Sequence, residues 1–192
     1  MRKILLVFCL CFLFVSCEFL PIIGEILIEL NNASNQNTES DYSEDTTDDT
    51  TIDHIRKKAL EYAQEYCRVD TEYYYGGQDM IRAIKVDCSG MVINCYKYAI
   101  ANTGYKLLFD DTTAANLYSK FSDHTTNPKP GDLIFMGDTN SKTVNHIGIF
   151  VKKQGSTVYF IDATEGKGVA ERNYDINNSK IKGFGSMKFS VK

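Results

Sequence analysis

The 192-residue chain has no tryptophan and only three histidines, and it contains no His/Cys cluster at metal-ligand spacing and no phosphate loop. We therefore expect no metal and no other cofactor. Without tryptophan, most of the 12 tyrosines and 11 phenylalanines are expected to lie in the core. The domain also has only a small excess of positive charge. Residues 52–192 carry 19 basic and 16 acidic residues, a balance that suits an anionic polymer but is far too weak to indicate nucleic-acid binding.

The N-terminus has the pattern of a secretory leader. Two basic residues precede an uncharged apolar run, Ile4 to Val15, which is too short to span a bilayer as a helix. The following Ser16-Cys17 resembles a bacterial lipobox, so residues 1–17 are predicted to be a lipoprotein signal peptide. Lipid on Cys17 would then attach the exported protein to a membrane, at the cell surface or in the periplasm. An ordinary signal peptide and an uncleaved anchor are the alternatives.

Residues 18–51 are predicted to be a tether between the leader and a folded domain. An apolar stretch comes first, and the polar tract 31–51 follows with six acidic and no basic residues. Such a composition cannot bury enough apolar surface to fold. Residues 52–192 are one domain's worth of chain and show no internal repeat.

Helical periodicity precedes strand-like patterns in this domain. Thr50 and Thr51 are candidate caps of a first helix, and a second helix is predicted to start at Cys88 and to stop near Gly104. A shorter helix is predicted for residues 113–121. Helices followed by strands predict an α+β fold, with the helix pair on one face of a mostly antiparallel sheet. The predicted strands cover residues 132–136, 146–152, 157–163, 169–174 and 183–191.

Cys88 is the candidate nucleophile. Outside the leader and its cut site the chain has three cysteines, and an odd number in an exported protein indicates at least one free thiol. Asp87 is a candidate N-cap, which places Cys88 at a helix start, where the partial positive charge favours the thiolate. Cys95 lies on the same helical face as Cys88, and both Cys95 and Cys67 are expected to be structural.

His146, at the start of a predicted strand, is the candidate base. If residues 153–155 form a three-residue hairpin loop, His146 lies directly opposite Asp162. Asp162 would then accept a hydrogen bond from one imidazole nitrogen and leave the other nitrogen for Cys88. This is the arrangement of nucleophile, base and orienting group found in hydrolases with a covalent intermediate. A loop of even length would break the direct opposition.

Four motifs together resemble the NlpC-type family of bacterial cell-wall cysteine peptidases, and the resemblance covers most of residues 55–190. It implies a papain-like core and, typically, cleavage of peptidoglycan stem peptides between the γ-carboxyl of D-glutamate and the following diamino acid. It also implies that Cys88 and His146 are catalytic. The motifs are Tyr73-x-Tyr75-Gly76-Gly77, Asp87-Cys88-Ser89-Gly90, Pro130-Gly131-Asp132-Leu133 and His146-Ile147-Gly148-Ile149.

The same resemblance places Tyr73 near the nucleophile and Asp87 and Ser89 at the substrate pocket. The chain departs from the family pattern at Asp162, where the family most often has histidine. The segment between Gly77 and Asp87 is also more apolar than the motif demands. The sequence therefore does not decide which bond is cleaved. The alternatives are a muramoyl-L-alanine amidase, a thiol acyltransferase or lipase, and a non-catalytic lipoprotein that binds the wall. A monomer is expected.

Overall fold

A computed structural model describes residues 47–69, 71–78 and 85–192. The predicted signal peptide with Cys17, most of the predicted tether and most of the apolar segment before Asp87 lie outside the described residues. Within the described residues, no helix is both long enough and apolar enough to cross a membrane.

Three helices are present in this part of the chain: α1 (Thr47–Tyr66), α2 (Cys88–Ala99) and α3 (Ala114–Ser119). Helix α1 begins earlier than predicted, so Thr50 and Thr51 lie inside it and the prediction that they cap it is wrong. The acidic pair at 48–49 lies in the first turn of α1, where negative charge stabilises a helix N-terminus. Helix α2 begins at Cys88 as predicted and ends before Gly104.

The strands of the described residues are β1 (Glu72–Tyr73), β2 (Lys85–Val86), β3 (Tyr105–Leu107), β4 (Ser122–Thr125), β5 (Leu133–Met136), β6 (His146–Gln154), β7 (Thr157–Thr164), β8 (Gly168–Asp175), β9 (Ile181–Met187) and β10 (Phe189–Val191). Six of them form an antiparallel sheet in the order β4-β9-β5-β6-β7-β8, and two small sheets pair β1 with β2 and β3 with β10. The predicted last strand is in fact two strands, β9 and β10, which belong to different sheets. The short strands β1 to β4 were not predicted.

Helices α1 and α2 pack on one face of the large sheet, which confirms the predicted α+β fold class. Ile147 and Ile149 of β6 and Ile161 of β7 join the main core on this face. Phe150 and Phe160 belong to a smaller cluster on the opposite face. Side chains alternate between the two faces of a strand, so His146, at the first position of β6, lies on the side of the smaller cluster.

Candidate active site

Asp87 fixes the start of helix α2, where Cys88 is the first residue. One oxygen of its side chain accepts hydrogen bonds from the Gly90 amide at 2.7 Å and from the Ser89 hydroxyl at 3.0 Å. The other oxygen accepts a hydrogen bond from the Gly76 amide at 2.9 Å. Asp87 is thus the predicted N-cap, and it also ties the loop after Tyr73 to the helix that carries Cys88.

Gly90 lets the same loop approach the helix closely. A Cβ atom at this position would lie 2.1 Å from the carbonyl oxygen of Gly77, a distance that no side chain can occupy. The Asp-Cys-Ser-Gly motif therefore ends in glycine for a steric reason. Cys88 itself is buried, with 8% of the residue exposed.

The β6–β7 hairpin differs from the predicted one. Gln154 pairs with Thr157, so the turn has two residues and not three, and Gly155 takes a positive φ of 59° within it. The register then shifts between Phe150 and Lys152, and Gly148 lies opposite Asp162. The prediction that His146 and Asp162 are directly opposed is wrong, because a two-residue turn and a bulge replace the three-residue loop.

His146 and Asp162 nevertheless contact each other as diagonal neighbours on one face of the hairpin. The imidazole Nε2 lies 2.8 Å from Oδ2 of Asp162. Cys88 hydrogen-bonds with the same imidazole, and since Nε2 faces Asp162, the remaining nitrogen, Nδ1, is the one available to the thiol. The structure brings the three candidate catalytic residues into one chain of contacts.

The surroundings of His146 favour its charged form. Burial acts to lower the pKa of His146, but the hydrogen bonds with Asp162 and Cys88 and the negative charges of these groups raise it from 6.5 to about 9. At neutral pH the imidazole is therefore held protonated. An imidazolium beside a cysteine is the partner that stabilises a thiolate.

Arg172 of β8 completes the surroundings of Asp162, and the sequence analysis missed it. Its Nη1 donates hydrogen bonds to Oδ1 of Asp162 and, at 3.0 Å, to the backbone oxygen of the same residue. Asp162 is 2% exposed, so its carboxylate lies between an imidazole and a guanidinium with almost no access to water. A buried carboxylate needs a cationic partner, so the sequence could have prompted a search for one. Identifying Arg172 as that partner requires the register between β7 and β8.

Tyr73 lies near Cys88, as the resemblance implied. It is half-buried in β1, which pairs with β2 immediately before Asp87. Burial raises the pKa of the Tyr73 hydroxyl, and negative charge on Cys88 and Asp87 acts in the same direction. The phenol consequently stays protonated at neutral pH and can donate a hydrogen bond.

A family model described as the NlpC/P60 family matches residues 70–185, which is more than half of the chain. The chain belongs to the NlpC/P60 family. The resemblance drawn from the four motifs is therefore confirmed, and with it the assignment of the chain to a family of cell-wall hydrolases and cysteine peptidases.

Solved structures of three proteins are among those similar to this NlpC/P60 chain. A lipoprotein-like NLP/P60 protein from Staphylococcus aureus is 24% identical with a TM-score of 0.44, over 82% of this chain and 48% of that one. NlpC1 from Trichomonas vaginalis is 20% identical with a TM-score of 0.49, over 77% and 47%. Ly7917, also solved with the hydrolysing product of MDP, is 10% identical with a TM-score of 0.49, over 69% and 62%. The chain thus spans about half the length of the first two. A comparison with curated proteins found no match.

The other two described cysteines differ from Cys88 in their surroundings. Cys95 is fully buried, its sulfur lies 3.8 Å from that of Met91, and burial raises the pKa of its thiol well above the ordinary value. Cys67 is exposed, and all three described cysteines are free thiols. Neither Cys67 nor Cys95 contacts a histidine in the hydrogen bonds of the described residues, so neither has the activating partner that Cys88 has.

A cleft of about 410 Å³ opens beside His146 and Asp162. Its walls carry both signs of charge, and Cys88 is not among the lining residues. The cleft offers polar groups next to the base. The charged lining residues are Asp138, Asp162, Glu165, Lys167, Arg172 and Lys180.

Proposed function

We propose that this NlpC/P60 protein is a cysteine endopeptidase that hydrolyses peptidoglycan stem peptides through a thioester intermediate. The observation that carries the proposal is the double contact of His146, which meets the Cys88 thiol on one side and the Asp162 carboxylate on the other. A buried thiol at a helix start, beside an imidazole held in its charged form, suits attack on an amide carbonyl.

In the proposed reaction, the Cys88 thiolate attacks the carbonyl carbon of the scissile amide. The backbone N–H of Cys88 and the Tyr73 hydroxyl donate to the developing oxyanion. The C–N bond breaks as the His146 imidazolium gives its proton to the departing amine, which leaves a thioester on Cys88. Neutral His146 then takes a proton from water, whose oxygen attacks the thioester and releases the carboxylate product and the thiolate. Asp162 holds the ring throughout.

The proposed scissile bond joins the γ-carboxyl of D-glutamate to the next diamino acid, and the proposal rests on family membership. Asp87 and Ser89 are proposed to line the pocket for the amino-terminal part of the stem peptide. The hydrogen bonds that Asp87 makes to Gly76, Ser89 and Gly90 give it a structural task as well.

The test is the release of peptide fragments from purified cell wall, followed by mass spectrometry of the new termini. Wild type should release peptides with a new diamino-acid amino terminus and leave D-glutamate carboxyl ends on the glycan, and Cys88→Ala should do neither. Cys67→Ala is the matched control, because it removes an exposed thiol from the same domain and should leave release unchanged. Fragments with a new L-alanine amino terminus would identify an amidase instead. No release by wild type would support a binding protein that lacks catalysis.

We further propose that residues 1–17 are a lipoprotein signal peptide and that Cys17 carries the lipid. The predicted tether 18–51 would link the peptidase domain to a membrane, but its last five residues belong to α1, which begins at Thr47 and not at residue 52. Incorporation of labelled palmitate during expression in a bacterial host tests the anchor. Label should appear in wild type and be lost in Cys17→Ser, while Cys11→Ser should retain it. Equal labelling of the two variants would contradict the assignment of Cys17.

A further inference from the structure

The side chain of Arg172 makes more contacts than a surface ion pair needs. Its Nη1 donates to Oδ1 and to the backbone oxygen of Asp162, and also to the Ala170 oxygen at 3.1 Å. Its Nη2 donates to Oγ1 of Thr164 at 2.8 Å and to the Gly168 oxygen at 3.4 Å. The guanidinium is thereby fixed against the β7–β8 turn, and its side chain is 19% exposed. A guanidinium held by this many acceptors has little conformational freedom.

The carboxylate of Asp162 divides its two oxygens between two cations. Oδ2 faces Nε2 of His146 at 2.8 Å, while Oδ1 and the backbone oxygen are held by Arg172. A carboxyl group can rotate about its terminal torsion, which has only broad minima. Because Arg172 occupies Oδ1, Oδ2 is the oxygen directed at the imidazole.

Because Asp162 is buried, its carboxylate needs the guanidinium of Arg172 as a partner. Asp162 is 2% exposed, and a buried carboxylate without hydrogen-bonding cations is strongly unfavourable. The register of β7 and β8 also explains the contact between Arg172 and Asp162. Ala170 lies opposite Asp162 and Arg172 lies opposite Phe160, which places Arg172 on the same face as Asp162 and two residues away along the strand.

We propose that Arg172 is a positioning residue of the catalytic site, which acts on His146 through Asp162 by holding the carboxylate oriented toward Nε2. The inference deepens the proposed function and rests on it, since Cys88 and His146 are taken as the reacting pair. Arg172 touches no reacting atom. Its effect should therefore vanish when Asp162 is absent, which a purely structural arginine would not show.

The experiment measures the rate at which iodoacetamide alkylates Cys88 at pH 6.5, followed by mass spectrometry of the Cys88 peptide. No wall substrate is involved, so the result stands apart from the test of the proposed function. Arg172→Gln should slow alkylation about tenfold in the wild-type background and have no effect in the Asp162→Ala background. Arg172→Lys should recover most of the rate, because an ammonium can still pair with the carboxylate.

The matched control is Arg56→Gln. Arg56 is also a buried arginine with acidic neighbours. It pairs with Asp53, and its Nε lies 3.9 Å from Oδ1 of the buried Asp132. Both glutamine variants should lower the melting temperature, but only Arg172→Gln should slow alkylation. The inference is overturned if Arg172→Gln leaves the alkylation rate unchanged. It is overturned equally if the loss is the same with and without Asp162, or if Arg172→Lys is no faster than Arg172→Gln.

Discussion

His146 and Asp162 share one face of the β6–β7 hairpin although Gly148, and not His146, lies opposite Asp162. The two-residue turn alone, continued along regular strands, would set Ile149 opposite Asp162 and turn His146 to the other face. The register shift at Val151 adds one residue to β6 and restores the shared face. The candidate base and its orienting group therefore meet because a turn and a bulge compensate each other.

Gly148 makes the diagonal contact possible, and Gly148→Ala tests this. An added Cβ would lie 2.6 Å from the Ile161 oxygen and 3.2 Å from Cβ of Asp162. We expect the unfolding free energy to fall by about 1–3 kcal/mol, as in other overpacked sites, and Cys88 alkylation to slow because β7 moves away from His146. Denaturant unfolding and iodoacetamide kinetics measure the two effects.

Gly104→Ala is the control for this substitution, because nothing lies within 4 Å of an added Cβ there. Its effect on the unfolding free energy should stay within about 0.5 kcal/mol, with no change in alkylation. If Gly148→Ala behaved like Gly104→Ala, the steric explanation for the glycine would be wrong.

The sequence allowed the α+β fold to be predicted, as well as the position of Cys88 at a helix start, because both follow from local patterns. The hairpin register could not be predicted, since a bulge at Val151 leaves no mark in the alternation of side chains. The prediction of an odd loop and the omission of the bulge cancelled, which is why Asp162 was still named. Arg172 was missed because its contact depends on the pairing of β7 with β8, which no local pattern specifies.

Asp87→Ala should damage both the stability of the domain and the reactivity of Cys88. The variant loses the cap of α2 and the hydrogen bond to the Gly76 amide, so we expect a cost of about 1–2 kcal/mol in unfolding free energy. Loss of the cap also frees the residue that follows it, Cys88. Thermal unfolding and the alkylation rate should therefore change together.

Thr113→Ala provides the matched comparison, since Thr113 caps α3 by accepting from the Asn116 amide at 3.3 Å. It should lower stability by a similar or smaller amount and leave Cys88 alkylation unaltered. Equal slowing in both variants would mean that reactivity follows global stability and not the capping of α2.

Asp162→Asn should shift the pH dependence of wall-fragment release. Removing the carboxylate charge takes away one of the two partners that raise the pKa of His146 to about 9. The imidazolium, which must give a proton to the departing amine, would then be lost at lower pH. The alkaline limb of the rate profile should move down from about pH 9, with a loss of about tenfold or more at pH 8.

Asp123→Asn serves as the control for charge alone, because Asp123 is 76% exposed on β4 and pairs with Lys188. Its alkaline limb should coincide with that of wild type. An unmoved limb in Asp162→Asn would show that Asp162 does not stabilise the charged imidazole.

His146 should also make the stability of the domain depend on pH between about 6.5 and 9. Its pKa is raised from 6.5 to about 9 in the folded chain, so its contribution is fully present below pH 6.5 and is lost as pH rises through 9. The shift corresponds to at most about 3 kcal/mol, because one pKa unit is about 1.4 kcal/mol. The measurement is the unfolding free energy of wild type minus that of His146→Gln, taken from pH 6 to 10. This difference should decrease steadily across the window.

The same subtraction with Gly104→Ala, which changes no titratable group and meets no atom within 4 Å, should give a line with little slope. A flat difference for His146→Gln would mean that folding does not favour the charged imidazole, and the thiolate–imidazolium pair would lose its physical basis.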